Sequence, residues 1–330
     1  MSQLLRRRNW ILAGLLVIGV IALTLEALLA VPRVLEVWHP WDYGNYVEMG
    51  RLLRQGLNPY GTDRYYPLPT ILWIFVPLSM LPAWFRIVWI LFPFVFILIL
   101  FRSQGILLFL FPPFWFATTD AMFDGWLLIP LWWLLQNRRY LAGLGAALLL
   151  FKPHVVLFTV LYMFFHWTVT RDWENLSVFV LMVSALWLPS FVVDPVWPLK
   201  MLAVLQTRVA GISVLPLLTV SLWSWWAVGG WGVLVFLVAL LLAGVFFWKA
   251  MQNGTRRVAS IQIASLLLNP IMLGANMIMV LPTLSRWSHI VAVVAAALGA
   301  YALDRAMGNF GGGYALVALI ALYFQVRNQP

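Results

Sequence analysis

Asp42 stands at the head of an amphipathic stretch, Tyr43 to Gln55, that closes on Gly56. A carboxylate there can serve as a general base when burial or hydrogen bonding sets its proton affinity and a hydroxyl comes within reach. It can equally cap the helix that follows, a contribution of about 1 kcal/mol, and one side chain can do both. Lys152 in Phe151-Lys152-Pro153-His154 is the second candidate. A lysine at a helix terminus is either a snorkelling anchor or a functional cation, and a compact ammonium suits a phosphate. Lys200, Gln206 and Arg208 recur at roughly helical spacing and offer further donors. Glu26, inside the first apolar run, is either an intramembrane acid or an interfacial one. The histidines His39, His154, His166 and His289 are dispersed without metal-ligand spacing. Position 44 is glycine, so Asp42 lacks a D-x-D partner. With no cysteine present, thiolate chemistry is excluded and no obligatory metal or other cofactor is expected.

These side chains must be positioned by membrane helices. Of 330 residues 63% are apolar and 10% charged, with a mean hydropathy of +0.92. Soluble domains carry about 25% charged residues, so an ordinary globular or disordered chain is ruled out. The net charge of +10 does not imply nucleic acid, because the basic residues form short clusters between apolar runs. Arg6 to Arg8, Arg138-Arg139 and Arg256-Arg257 read as cytoplasmic anchors. Trp10 to Val31 is too long for a signal-peptide core and is expected to be a retained first helix. The expectation is an all-α polytopic membrane protein, one transmembrane domain over 1–330 with about twelve helices. Crossings are expected near 84–101, 141–151, 154–169, 176–193, 231–248, 258–275, 277–286, 288–304 and 314–326. Residues 32–83 and 194–230 form two outer loops, each backed by a short apolar segment read as re-entrant. Together they make an outward-facing cavity.

The first loop carries a more specific pattern: Asp42-Tyr43, Tyr46, then Gly56-Leu57-Asn58-Pro59-Tyr60, then Tyr65-Tyr66-Pro67-Leu68-Pro69. This order resembles glycosyltransferase family 87, GT-C type membrane enzymes with D-[FY]-x-x-Y, G-x-[ND]-P-Y and Y-x-Y-P-P in succession. Phe151-Lys152-Pro153-His154 is similar to the family's L-K-P-Q at a helix end. Two positions depart. Phe123-Asp124-Gly125 stands where the family shows G-Q-x-N, and Asn269-Pro270 through Asn276 where it shows S-P-x-S-W-x-H-H. The proline break is retained, the tryptophan and both histidines are not, and substrate identity is left open.

The resemblance implies an inverting transferase that moves a hexose, mannose in the family's mannosyltransferases, from a polyprenyl phosphate to a hydroxyl acceptor on a lipid or glycan. The active site would face the non-cytoplasmic side of the cell membrane. Asp42 would be the base, and Lys152 and Arg208 would hold the donor phosphate. Tyr43, Tyr46, Asn58, Tyr60, Tyr66, Asp124, His154 and Asn276 would contact substrate. Two other readings stay open: a transporter or flippase of lipid-linked sugar, and a catalytically inactive homologue. Transporters show repeats and midplane charges, whereas the polar residues here concentrate in two loops. The layout predicts that single cysteines at Asn45 and Gln206 both react with an impermeant maleimide in intact cells. Reaction at one position alone would contradict it.

Overall fold

The computed structural model describes residues 41–57, 75–82, 84–101, 110–119, 123–200, 202–203, 221–252, 257–269, 274–284, 286–307 and 311–327. Among them the ordered elements are helical, with no strand. In chain order they are α1 (Trp41–Arg54), α2 (Phe85–Phe101), α3 (Pro112–Thr119), α4 (Asp124–Leu135), α5 (Leu141–Leu149), α6 (Pro153–Thr170) and α7 (Trp173–Val193). Then follow α8 (Trp223–Val228), α9 (Trp231–Gln252), α10 (Arg257–Leu268), a 3-10 segment (Gly274–Thr283), α11 (Trp287–Ala306), a 3-10 turn (Gly311–Gly313) and α12 (Tyr314–Arg327).

Four of these, α6, α7, α9 and α11, are long and apolar enough to cross a membrane, at 18 to 22 residues each. A rise of 1.5 Å per residue gives them about 27–33 Å, the thickness of a hydrocarbon core. Their outward faces are apolar, and only 22% of the α9 window is buried inside the protein. Exposed Trp173, Trp231 and Trp287 open α7, α9 and α11, and Trp248 lies near the end of α9. Indole rings at helix ends are interfacial anchors, with the N–H toward the headgroups.

Inside this shell the elements are short, and here the sequence expectation changes. The expected crossing over 141–151 is the nine-residue α5, about 14 Å long. The expected 258–275 crossing stops at Leu268, just before Asn269 and Pro270. Residues 274–283, which the sequence divides between crossings at 258–275 and 277–286, form a ten-residue 3-10 helix. At about 2.0 Å per residue it spans roughly 20 Å. Met277 through Leu281 are wholly buried among α3, α4, α10 and α12. Apolar composition marks these runs as dry, but only their neighbours make them inner helices instead of lipid-facing ones.

Small residues permit the close contacts. Gly145 of α5 faces the backbone of α4, where an added Cβ would lie 2.5 Å from the Pro130 carbonyl oxygen. Without a hydrophobic drive between helices in lipid, such backbone approach is what holds a pair together. At the far end the Gly143 N–H donates to Asn175 Oδ1 of α7 at 3.1 Å. Arg139, in the α4–α5 loop, donates both guanidinium arms to Glu174, a hydrogen bond that drives its proton affinity further up. α1 ends as the sequence predicts: Gly56 sits at φ +72°, and Leu57 N–H reaches back to the Leu52 carbonyl at 2.9 Å. The expected first crossing, Glu26, Asn58, Tyr60, Tyr66, Gln206 and Arg208 lie outside the described residues.

Gly145→Ala pushes α5 off Pro130 and is expected to destabilise the protein by about 1–3 kcal/mol. Unfolding of the detergent-solubilised variant checks this.

Candidate functional site

Lys152 stands where the chain cannot remain helical. Pro153 lacks an amide hydrogen and disfavours helical geometry in the residue before it. Lys152 accordingly leaves α5 at φ −132° and ψ 68°, and Pro153 restarts the chain as the first residue of α6. Asp124 occupies the first turn of α4, where the helix dipole favours negative charge. α4 and α5 are antiparallel around the loop that bears Arg138 and Arg139. Asp124 and Lys152, 28 residues apart and equidistant from Arg138, therefore meet at the open end of the hairpin.

There Lys152 Nζ donates to Asp124 Oδ2 at 2.5 Å, and Asn276 Nδ2 donates to Oδ1 at 2.8 Å. The Asp124 and Asn276 side chains are buried, while Lys152 keeps 16% of its side chain exposed. Access to the cluster is therefore from the lysine side. A carboxylate in an apolar interior is tolerated only when its charge and lone pairs are matched. Three elements supply the match: α4, the Lys-Pro break and the 3-10 segment.

The break is held by neighbours on α10 and just beyond its end. Asn269 Nδ2 donates to the His154 carbonyl, and Gln262 Nε2 donates to the Val155 carbonyl at 3.2 Å. Thr159 Oγ1 donates to Gln262 Oε1 at 2.7 Å. Thr159 and Gln262 are not among the residues that motif or charge singles out in the sequence. Their signal was polarity in the middle of apolar runs, which in membrane helices usually means an interhelical bond.

Beside the cluster runs an aromatic wall. Phe123 and Phe151, the immediate neighbours of Asp124 and Lys152, meet edge-on at 5.8 Å. Phe75 lies 6.3 Å from Phe123 and stacks on Tyr46 at 4.6 Å. Trp89 lies 5.8 Å from Phe123 and 5.5 Å from Tyr43. Tyr43 and Tyr46 thus have their rings in the core, where they dock α1 against the wall. Gly50 makes the docking possible, because a side chain there would strike the Phe75 carbonyl. Asp42 is the second residue of α1, on the helix this wall carries.

Of the residues singled out in the sequence, the structure brings Lys152, Asp124 and Asn276 into one cluster. His154 follows directly on Lys152, and Tyr43 and Tyr46 lie one aromatic layer away. Among the described residues no group of three or more His, Asp or Glu forms a metal-binding set. The chemistry on offer is a positioned ammonium at the edge of an apolar core. No protein-family model, curated protein or solved structure matches this chain.

Lys152→Met leaves Asp124 buried without its cation and is expected to cost about 3–5 kcal/mol. Adding Asp124→Asn removes both charges and should restore most of that loss. Equal stability of the single and double variants in detergent unfolding would show that charge compensation is not what holds the cluster.

Proposed function

We propose that this chain is a membrane glycosyltransferase that moves a hexose from a polyprenyl-phosphate donor to a lipid or glycan hydroxyl on the non-cytoplasmic face. Its architecture on this reading is the GT-C type, with further crossings beyond the four long helices. The observation that carries the reading is Lys152, a cation held at the edge of an apolar interior by Asp124 and Asn276. A polyprenyl-phosphate sugar needs such a place. Its tail partitions into the bilayer, its phosphate needs a cation, and its sugar must meet an acceptor from water.

The chemistry is one displacement. The acceptor hydroxyl oxygen attacks the anomeric carbon, the bond from that carbon to the phosphate oxygen breaks, and the configuration inverts. Asp42 accepts the hydroxyl proton. Polyprenyl phosphate departs with the bonding electron pair, and Lys152, with Arg208, stabilises the charge left on it. Asp42 sits on α1, which the Tyr43 and Tyr46 rings dock against the wall beside Lys152. That shared packing supports assigning base and cation to one site.

The buried Asp124–Lys152 pair also favours a second reading, because intramembrane charges are characteristic of transporters. A transporter would move the lipid-linked sugar intact, without cleaving the sugar–phosphate bond.

Incubation of the purified protein with radiolabelled polyprenyl-phosphate-mannose and a lipid extract separates the two. Label in a new glycolipid is expected, and donor that stays uncleaved but crosses the bilayer would favour transport. Asp42→Asn keeps size and much of the capping ability. It should lower turnover by at least about a hundredfold while donor binding is kept. A variant above a tenth of the wild-type rate, measured where chemistry is limiting, would remove Asp42 as base.

A further inference from the structure

Asp124 and Asn276 read from sequence as groups that touch substrate, but neither has surface with which to do so. Both side chains are buried, and each oxygen of the carboxylate already accepts a hydrogen bond, one from Lys152 and one from Asn276. The Lys152 side chain, in contrast, keeps part of its surface exposed. We infer that Asp124 is a positioning residue that holds the Lys152 ammonium in place for a lipid phosphate, with Asn276 fixing the far oxygen of the carboxylate. This deepens the transferase reading and rests on it.

The physical argument starts from the lysine. Its ammonium sits on a flexible four-carbon stem, and each arrangement it can adopt dilutes its effect at any one point. Beside an apolar core a lone cation also carries a large desolvation cost. A carboxylate at 2.5 Å removes both problems, provided that the carboxylate is itself immobile. Asp124 is immobile because the first turn of α4 sets its backbone and Asn276 holds its second oxygen at 2.8 Å. The lysine backbone is fixed independently, by the Pro153 break and by Asn269 and Gln262, which donate to the His154 and Val155 carbonyls in the first turn of α6. A phosphate arriving from the open side meets an ammonium that need not be ordered on binding, and preorganisation of this kind raises affinity without a new contact.

The experiment is a double-mutant cycle on ligand binding. Full-length wild type, Asp124→Asn, Lys152→Met and the double variant are each reconstituted in nanodiscs. Binding of tritiated polyprenyl monophosphate is measured, with polyprenol and inorganic phosphate as competitors. Wild type should bind the lipid phosphate, and neither competitor should displace it at equal concentration. Asp124→Asn should weaken binding about tenfold, within the range over which contacting residues couple. In the Lys152→Met background the same change should weaken it no further, because Asp124 acts through the lysine. A residue with a merely structural role would lower affinity in both backgrounds. Additive losses, or an Asp124→Asn variant that binds like wild type, would overturn the inference and leave the transferase reading standing. Wild type that fails to prefer lipid phosphate over polyprenol, or that takes inorganic phosphate as tightly, would overturn both. If Asp124→Asn alone does not fold, Lys152→Met against the charge-free double variant decides, with equal affinity expected and a further loss overturning.

Discussion

A carboxylate buried in an apolar interior sets the terms for the middle of this molecule. Taking such a group out of water costs several kcal/mol even after relaxation, and only a cation with further hydrogen bonds offsets it. Asp124 meets that condition through partners distant in the chain, Lys152 on the hairpin return and Asn276 on the 3-10 segment. The requirement acts on architecture. The α4–α5 hairpin must close in register, the chain must break at Lys152, and residues 274–283 must run through the core beside α4. A shift of one helical turn in any of them would leave a charge unmatched.

The remaining packing serves this convergence. Gly145 lets α5 approach the α4 backbone, while Asn175 and Glu174 tie the loop end of the hairpin to α7. On the α6–α10 face, Gln262, Thr159 and Asn269 form a polar ladder where lipid-facing helices carry leucine and valine. On the other side the wall of Phe75, Trp89, Phe123 and Phe151 links the cluster to α1. Aromatic contacts of this kind contribute beyond their buried area and have defined geometry. They join Asp42's helix to Lys152's neighbourhood as one packed body.

Asp124 and Asn276 are 152 residues apart in the chain and are bonded to each other. On the transferase reading this pairing is coherent. A change at one position alone would strand a buried polar group, whereas a carboxylate facing an amide satisfies both.

The sequence by itself determined a helical chain with runs long and apolar enough to cross a membrane, because a 10% charge content is far below that of soluble domains. It also located the breaks. Gly56 ends α1, and the Lys152-Pro153 and Asn269-Pro270 dipeptides interrupt helices for covalent reasons local to proline. The Asp124–Lys152 contact was legible in principle, since the two are symmetric about Arg138 in an antiparallel hairpin. What only the tertiary structure decided is which apolar runs are inner and which face lipid. Apolar segments such as 141–149 and 277–281 match transmembrane composition, yet they are surrounded by protein. Hydropathy records preference for a dry environment and cannot distinguish acyl chains from neighbouring helices. For the same reason the packing of Tyr43 and Tyr46 was not legible, and only the positions of Phe75 and Trp89 show their rings docking α1 against the aromatic wall.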